Sequence, residues 1–364
     1  MCTVRSGFIG VALLCLSASV WSAPWRWQSI RRFDPPANIA ISAVHFQGDR
    51  GLCINGARQV NVSTDAGAHW HSYDLGPLGL DLMASGELLY DCLATSSRLI
   101  VVGDNHIIYS TDTGASWHEA SYPSLGTNFT FRAVDADPDN PNFMMLVGGR
   151  RTSTSTWQPL LLMSSDGGVH WGGNLAPSSA NLPRDLRFRH GGRSIIVDFG
   201  GHVYQSTDDA HSWSLVAGMD GFFATCLYSR ENHIWIGGSR GRIKYSVNNG
   251  ATWREYSLGV SKSIYALAFL SATVGIAVCP PHSIYHTLDR GATWTEDTVS
   301  DVYALGCATV CRATGHNFLV GGRRYNLPVV LAEKAPIELL PRVFPRVPVE
   351  PRHPLPPVLK HVPK

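Results

Sequence analysis

An eight-residue phrase, Ser/Thr-x-Asp-x-Gly-x-x-Trp, constrains this chain more than any other feature, because it recurs six times. It reads S-T-D-A-G-A-H-W at residues 63–70, S-T-D-T-G-A-S-W at 110–117 and S-S-D-G-G-V-H-W at 164–171. Looser copies follow: S-T-D-D-A-H-S-W at 206–213, S-V-N-N-G-A-T-W at 246–253 and T-L-D-R-G-A-T-W at 287–294. The closing tryptophans, Trp70, Trp117, Trp171, Trp213, Trp253 and Trp294, lie 47, 54, 42, 40 and 41 residues apart. A period of that length means a repeat architecture, in which each unit buries its apolar face only against its neighbours.

The chemistry of the phrase is that of a turn. The carboxylates of Asp65, Asp112, Asp166, Asp208 and Asp289 can accept backbone N–H groups just ahead of them, and glycine takes the φ > 0 position that closes the reversal. The Ser or Thr hydroxyl ties back into the same loop. Tryptophan then opens the next strand and buries a large apolar surface. Asn248 keeps the acceptor oxygen without the charge, while Ala210 stands where the other copies have glycine, so the fourth turn is expected to be the loosest. Six copies of one turn are what a fold needs, whereas an active site needs one. These residues are therefore read as structural.

Each repeat is longer than its turn. In the first, residues 41–46, 52–56 and 57–62 read as strands separated by a polar turn and a glycine turn, and a fourth strand starts at Trp70. Short alternating strands at this spacing, without helical periodicity, describe four-stranded propeller blades. Residues 302–308, 316–322 and 327–332 supply three more strands without the phrase. The missing fourth has a candidate at the N-terminus, where residues 25–30 resemble the strands that follow the tryptophans. Pairing the two ends would leave no open edge. The expected fold is all-β: a seven-bladed β-propeller over 24–335, closed by the N-terminal strand, with six or eight blades as alternatives.

Composition agrees with many tight turns, since the 364 residues include 35 Gly and 11 Trp and only 16% are charged. A net charge of +2, with no basic run interleaved with aromatics, argues against a nucleic-acid partner. Residues 1–22 read as a cleavable signal peptide, with a basic start and a short apolar core, so the mature chain is expected in the periplasm or secreted, with no transmembrane segment. Cys53, Cys92, Cys226, Cys279, Cys307 and Cys311 remain after cleavage. Cys307–Cys311, Cys53–Cys92 and Cys226–Cys279 are candidate disulfides, with buried free thiols the alternative. No Cys/His spacing matches a metal site, and no cofactor is expected. Residues 336–364 carry nine Pro and five Lys/Arg against two Glu, a basic polyproline-biased tail expected to be disordered.

One pattern is not required by the repeat. The turn between second and third strands carries arginine in alternate blades: Arg58, Arg150 with Arg151, Arg240 with Arg242, and Arg323 with Arg324. Equivalent turns of a propeller share one face, so these guanidiniums would form a positive field suited to an acidic protein surface. Solvated arginines partly paired with acids such as Asp104 are the alternative. An insertion at 152–159 falls on the same face. A second cluster, Arg184, Arg187, Arg189 and Arg193, is expected on an exposed hairpin edge of the fourth blade.

The turn is that of the Asp-box, or BNR, repeat of sialidase-like propellers. With Ala43 to Phe46, Gly51, Gly56 and the box at 63–70, the span from Trp25 to Lys334 resembles the photosystem II stability/assembly factor family. That resemblance implies a non-enzymatic scaffold or assembly chaperone with an arginine patch, a part for which Arg150, Arg151, Arg240, Arg242, Arg323 and Arg324 are the candidate positions here. It implies a protein partner in an envelope complex, and a closed ring needs no second copy, so a monomer is expected. The competing class is a glycoside hydrolase, since sialidases share the box. Its typical Arg-Ile-Pro entry is absent, with Phe131-Arg132-Ala133-Val134 the nearest string. Asp91, Asp135 and Asp198 are the inner-strand acids such an enzyme would use.

Overall fold

The computed structural model describes residues 26–32; 41–299 apart from 56–58, 76–85, 124–127, 154–155, 174–175, 178–180, 217–218 and 220; and then 305, 307–310, 318–324 and 327–334. The expected signal peptide and the proline-rich tail lie outside the described residues, as do Arg58 and Cys311.

After β1 (Arg26–Arg32), six antiparallel sheets follow in chain order. The first holds β2 (Ala43–Gln47), β3 (Arg50–Ile54), β4 (Gln59–Ser63) and β5 (His71–Asp74); the second β6 (Leu89–Ala94), β7 (Leu99–Gly103), β8 (Ile107–Ser110) and β9 (His118–Glu119). The third holds β10 (Phe129–Ala136), β11 (Met144–Arg151) and β12 (Trp157–Ser164); its expected fourth strand is reduced to one bridge between Met163 and Gly172. The fourth holds β13 (Pro183–Arg189), β14 (Arg193–Asp198), β15 (Val203–Ser206) and β16 (Ser214–Leu215). The fifth holds β17 (Ala224–Arg230), β18 (His233–Gly238), β19 (Arg242–Ser246) and β20 (Arg254–Ser257); the sixth β21 (Ala266–Phe269), β22 (Gly275–Cys279), β23 (Ser283–Thr287) and β24 (Thr295–Glu296). These six are propeller blades, with almost no helix among them.

The remaining strands are β25 (Thr298–Val299), β26 (Cys307–Val310), β27 (Phe318–Arg324) and β28 (Leu327–Lys334). They join β1 in a five-stranded sheet ordered β25-β1-β28-β27-β26. β1 lies antiparallel to β28, with Trp27 opposite Glu333, and parallel to β25. The N-terminal strand thus pairs with the C-terminal one, as the sequence predicts. β26 also packs against both β2 and β21, the inner strands of the first and sixth blades.

There is no single core. Apolar clusters lie between consecutive sheets: Val60, Leu75, Leu99 and Val101 fill the gap between the first and second blades, and Trp235, Phe269 and Tyr285 that between the fifth and sixth. Central strands are therefore covered on both faces, so β7 and β22 are buried along their whole length and read as continuous apolar runs rather than alternating ones.

The repeated turn is built as its chemistry predicts. Ser63 Oγ donates to Asp65 Oδ1 (2.9 Å) and accepts the Gly67 N–H (2.8 Å), while Asp65 Oδ1 accepts the His69 N–H (2.8 Å). Trp70 Nε1 donates back to the Gly67 carbonyl (2.9 Å). The His69 bonds hold Asp65 down to about pH 2, and the bonds from Ser116 do the same for Asp112. Asn248 substitutes as expected, its Oδ1 accepting from Ser246 Oγ (3.0 Å) and the Thr252 N–H (2.9 Å).

The fourth turn is not loose. Asp208 and Ser206 make the full set of bonds, including Ala210 N–H to Ser206 Oγ at 3.0 Å. Where glycine occupies the position φ is +86° or more, as at Gly67 (+88°) and Gly114 (+90°), but Ala210 settles at +65°. That value lies inside the small left-handed region open to a residue with a Cβ.

The described cysteines, Cys53, Cys92, Cys226, Cys279 and Cys307, are buried free thiols, and burial raises the pKa of each. The candidate pairs Cys53–Cys92 and Cys226–Cys279 are therefore not formed; these side chains pack as small apolar groups.

Candidate functional site: the central channel and its upper mouth

Strand direction sorts the molecule into two faces. Inner strands start at what we term the upper face, which also carries the turns between second and third strands. They end at the lower face, beside the repeated turns. Around the axis the inner strands β2, β6, β10, β13, β17, β21 and β26 wall a channel of about 560 Å³.

β-Bulges shape its upper mouth. The pairing of inner with second strand slips between Leu89 and Asp91, Phe131 and Ala133, Pro183 and Asp185, and Ala224 and Cys226. The extra residues are Tyr90, Arg132, Arg184 and Thr225, at one level of four successive blades. Arg132 lies over the Tyr90 ring, 3.9 Å from its centroid, and Arg184 over Phe199 (5.0 Å) and Tyr265 (5.7 Å). Asp104 holds this rim by accepting from Tyr90 Oη (3.0 Å), Thr130 Oγ1 (2.7 Å) and the Leu88 N–H (3.2 Å). Leu88, Phe199, Phe223 and Tyr265 all stand exposed around the mouth, an uncommon gathering of large apolar groups beside two guanidiniums.

Below the mouth the channel is acidic and stapled. Asp91 accepts the Cys92 N–H (2.9 Å) and, across the blade gap, the Val134 N–H (3.0 Å). Asp135 does the same with Ala136 (3.0 Å) and Phe188 (2.8 Å), and Asp185 with Leu186 and Leu227 (both 2.8 Å). Three successive inner strands are thus each clipped to the next by a carboxylate. Arg187 donates to Asp185 (2.9 Å) and faces the other two, with 31% of its side chain open to the channel. Burial works against its charge, but Asp185, Asp135 and Asp91 outweigh it and hold Arg187 above the usual guanidinium range. Burial pushes Asp91 up to about 7 and Asp135 up to about 6, with Arg187 pulling both back. Desolvation, with Arg187 adding to it, lowers half-buried His45 to about 4, and its Nδ1 accepts the Ala94 N–H.

The arginines expected on one face divide. Arg150 and Arg151 end β11 at the upper face and are exposed, Arg151 Nε donating to the Ser153 carbonyl (3.2 Å). Arg240 is exposed in a one-turn 3₁₀ segment (Ser239–Gly241), at φ +58°. Arg242 instead grips Glu255 through Nε and Nη2 (2.5 and 3.0 Å), a bond that holds Glu255 down to about 2. Arg323 and Arg324 end β27 opposite Pro328 and Leu327, again at the upper end. The second cluster is not an exposed edge: Arg187 enters the channel, Arg189 is buried, and Arg184 belongs to the mouth. Asp198, the third candidate acid, is fully buried and spends its oxygens on the Asn181 and His202 N–H groups. Among the described residues no group of side chains is arranged to hold a metal ion.

The mouth itself was not legible as a site. Its signal was an out-of-phase polar or aromatic residue near the start of successive inner strands (Tyr90, Arg132, Arg184, Thr225), visible once the bulges are placed.

No family model matches this chain, and no curated protein matches it in sequence. Solved structures do match its fold. "YCF48 from Cyanidioschyzon merolae" is 18% identical, covering 85% of this chain and 98% of its own, at a TM-score of 0.64. "YCF48 bound to D1 peptide" is 17% identical over 85% and 96%, at 0.63. The GH74 xyloglucanase from Xanthomonas campestris is 15% identical, covering 84% of this chain and 53% of its own, at 0.58. At such identities the likeness shows the propeller fold alone.

Proposed function

We propose that this chain is an exported, non-enzymatic propeller that holds a protein segment at its upper mouth, as a scaffold or assembly factor of the photosystem II assembly factor-like kind for an envelope complex. The observation that carries the reading is the exposed ring of Leu88, Phe199, Phe223 and Tyr265 around Arg132 and Arg184. Aromatic rings with stacked guanidiniums are the composition of binding hot spots. They suit a segment presenting an apolar side chain beside a carboxylate. Arg150, Arg151 and Arg240, exposed on the same face, extend the positive field around it. A structural neighbour bound to a peptide supports the use of this fold for peptide capture.

The five-stranded sheet is read as a seventh blade, with β1 closing the ring and the repeated turns as Asp-boxes. Two observations favour closure: β26 touches both the first and sixth blades, and β1 pairs with β28. Catalysis by the channel acids is disfavoured because Asp91, Asp135 and Asp185 give their oxygens to the backbone of the next blade. The rigid ring is then read as a monomer.

Capture from the native envelope tests the proposal. The wild type is expected to retain a protein partner that the double variant Arg132→Glu, Arg184→Glu loses while keeping its circular dichroism and melting temperature. Equal retention by both would contradict the reading.

A further inference from the structure

The lower face holds a buried cation with no counter-charge among the described residues. Arg189 ends β13 and is only 4% exposed. Its Nη2 donates to the Glu231 carbonyl of the fifth blade (3.2 Å), but Nε and Nη1 have no hydrogen-bond partner. Among the described residues no carboxylate pairs with it; the charged group that acts on it is Arg193, directly opposite across the hairpin, and that interaction is repulsive. Burial, reinforced by Arg193, lowers its pKa to about 10. A guanidinium withdrawn from water with two of its donors idle is costly to keep, far more so than a paired one.

Arg189 forms part of the wall of a pocket of about 290 Å³, between the turns that follow the inner strands of the third, fourth and fifth blades. Arg230 and His190 also line it. Arg230 reaches its neighbour Glu231 only at 3.9 Å, with the Glu231 carboxylate 72% exposed. His190 is oriented by Asp139 (Nδ1 to Oδ1, 2.7 Å), which leaves its other ring nitrogen unassigned. Pro138 and Phe188 supply the apolar wall.

We propose that this pocket is an oxyanion site, in which a phosphate or carboxylate group is held by Arg189 and Arg230 with His190 at the rim. The fork of a guanidinium matches either group in two parallel hydrogen bonds. Free phosphate and an acidic side chain of another protein share this chemistry. The site lies on the opposite face from the mouth and stands or falls independently of it.

The test is a thermal-shift titration of the full chain with inorganic phosphate and, separately, with acetate, against sodium chloride at matched ionic strength. Phosphate also stabilises proteins by exclusion from their surfaces, so the reading is saturation and its dependence on Arg189. The wild type is expected to show a saturable rise, with phosphate alone marking a phosphate site and with acetate as well a carboxylate site. Arg189→Met should weaken binding at least about tenfold, since a hydrogen bond to a charged group contributes roughly 1.5–3 kcal/mol. No saturable rise with either anion, or an equal rise in the variant, overturns the proposal. Should the variant fail to fold, the arginine Nε–H resonances of the wild type decide. That of Arg189 must shift on adding phosphate or acetate, and its failure to move with either is equally fatal.

Discussion

Gly114 and Ala210 occupy the same position of the repeated turn and reach it by different routes. Gly114 sits at φ +90°, and a Cβ there would come within 2.8 Å of Val62 Cγ2 on the preceding blade. Ala210 rotates to +65° and keeps the bonds made by Ser206 and Asp208, although Trp213 Nε1 lacks the carbonyl partner that Trp70 has. Gly114→Ala is therefore expected to destabilise by about 1–3 kcal/mol in urea unfolding, through backbone strain and a clash together. Ala210→Gly should change stability by less than about 1 kcal/mol. Equal effects would mean that the turn tolerates a Cβ wherever it occurs. Turn chemistry of this kind was legible in the sequence because it is local: Asp65, Ser63 and Gly67 meet within five residues. The pairing of Arg242 with Glu255 was not, because it depends on the register that sets Lys244 opposite Glu255 on the neighbouring strand.

The inner strands carry the chemistry that the repeat does not dictate. Asp91, Asp135 and Asp185 each bond the backbone of the next blade, so a carboxylate does for the blade gap what a ladder hydrogen bond does within a sheet. Burial disfavours the charge of Asp91 and Asp135 and pushes them up from the ordinary 3.8 to about 7 and about 6. The folded state then holds more protons than the unfolded one between pH 4 and 7, so their contribution to stability falls as pH rises through that window. The melting temperature is expected to decline from pH 5 to pH 8, and the decline to shrink in Asp91→Asn. A profile that rises over this range, or a slope unchanged by the substitution, would contradict the assignment. The repeated-turn carboxylates run the other way: Asp65 and Asp112, lowered to about 2, lose their contribution only as pH falls below the ordinary carboxylate range. Sequence alone marked Asp91 and Asp135 as candidate catalytic acids. Only the packing of successive blades reveals that their oxygens are already engaged.

At the scale of the molecule, the apolar core of the described residues lies in layers between neighbouring sheets, and the last sheet pairs β1 with β28. Deleting residues 1–32 leaves one edge of β28 unpaired, and an open strand edge invites association. The truncated protein is expected to melt lower and to aggregate by light scattering; a monomer of unchanged melting temperature would show that β1 is dispensable. The periodic phrase made this architecture legible, since each copy marks the same turn of a blade. The mouth stayed hidden because bulges shift Tyr90, Arg132 and Arg184 out of the alternation that defines the strands. Whether a protein partner occupies that mouth is decided by placing a photo-crosslinking amino acid at Phe199, on the upper rim, and at His211, in a turn of the lower face, and irradiating intact cells. Position 199 is expected to yield a discrete crosslinked protein and position 211 none. A crosslink from position 211 alone would contradict a partner at the mouth.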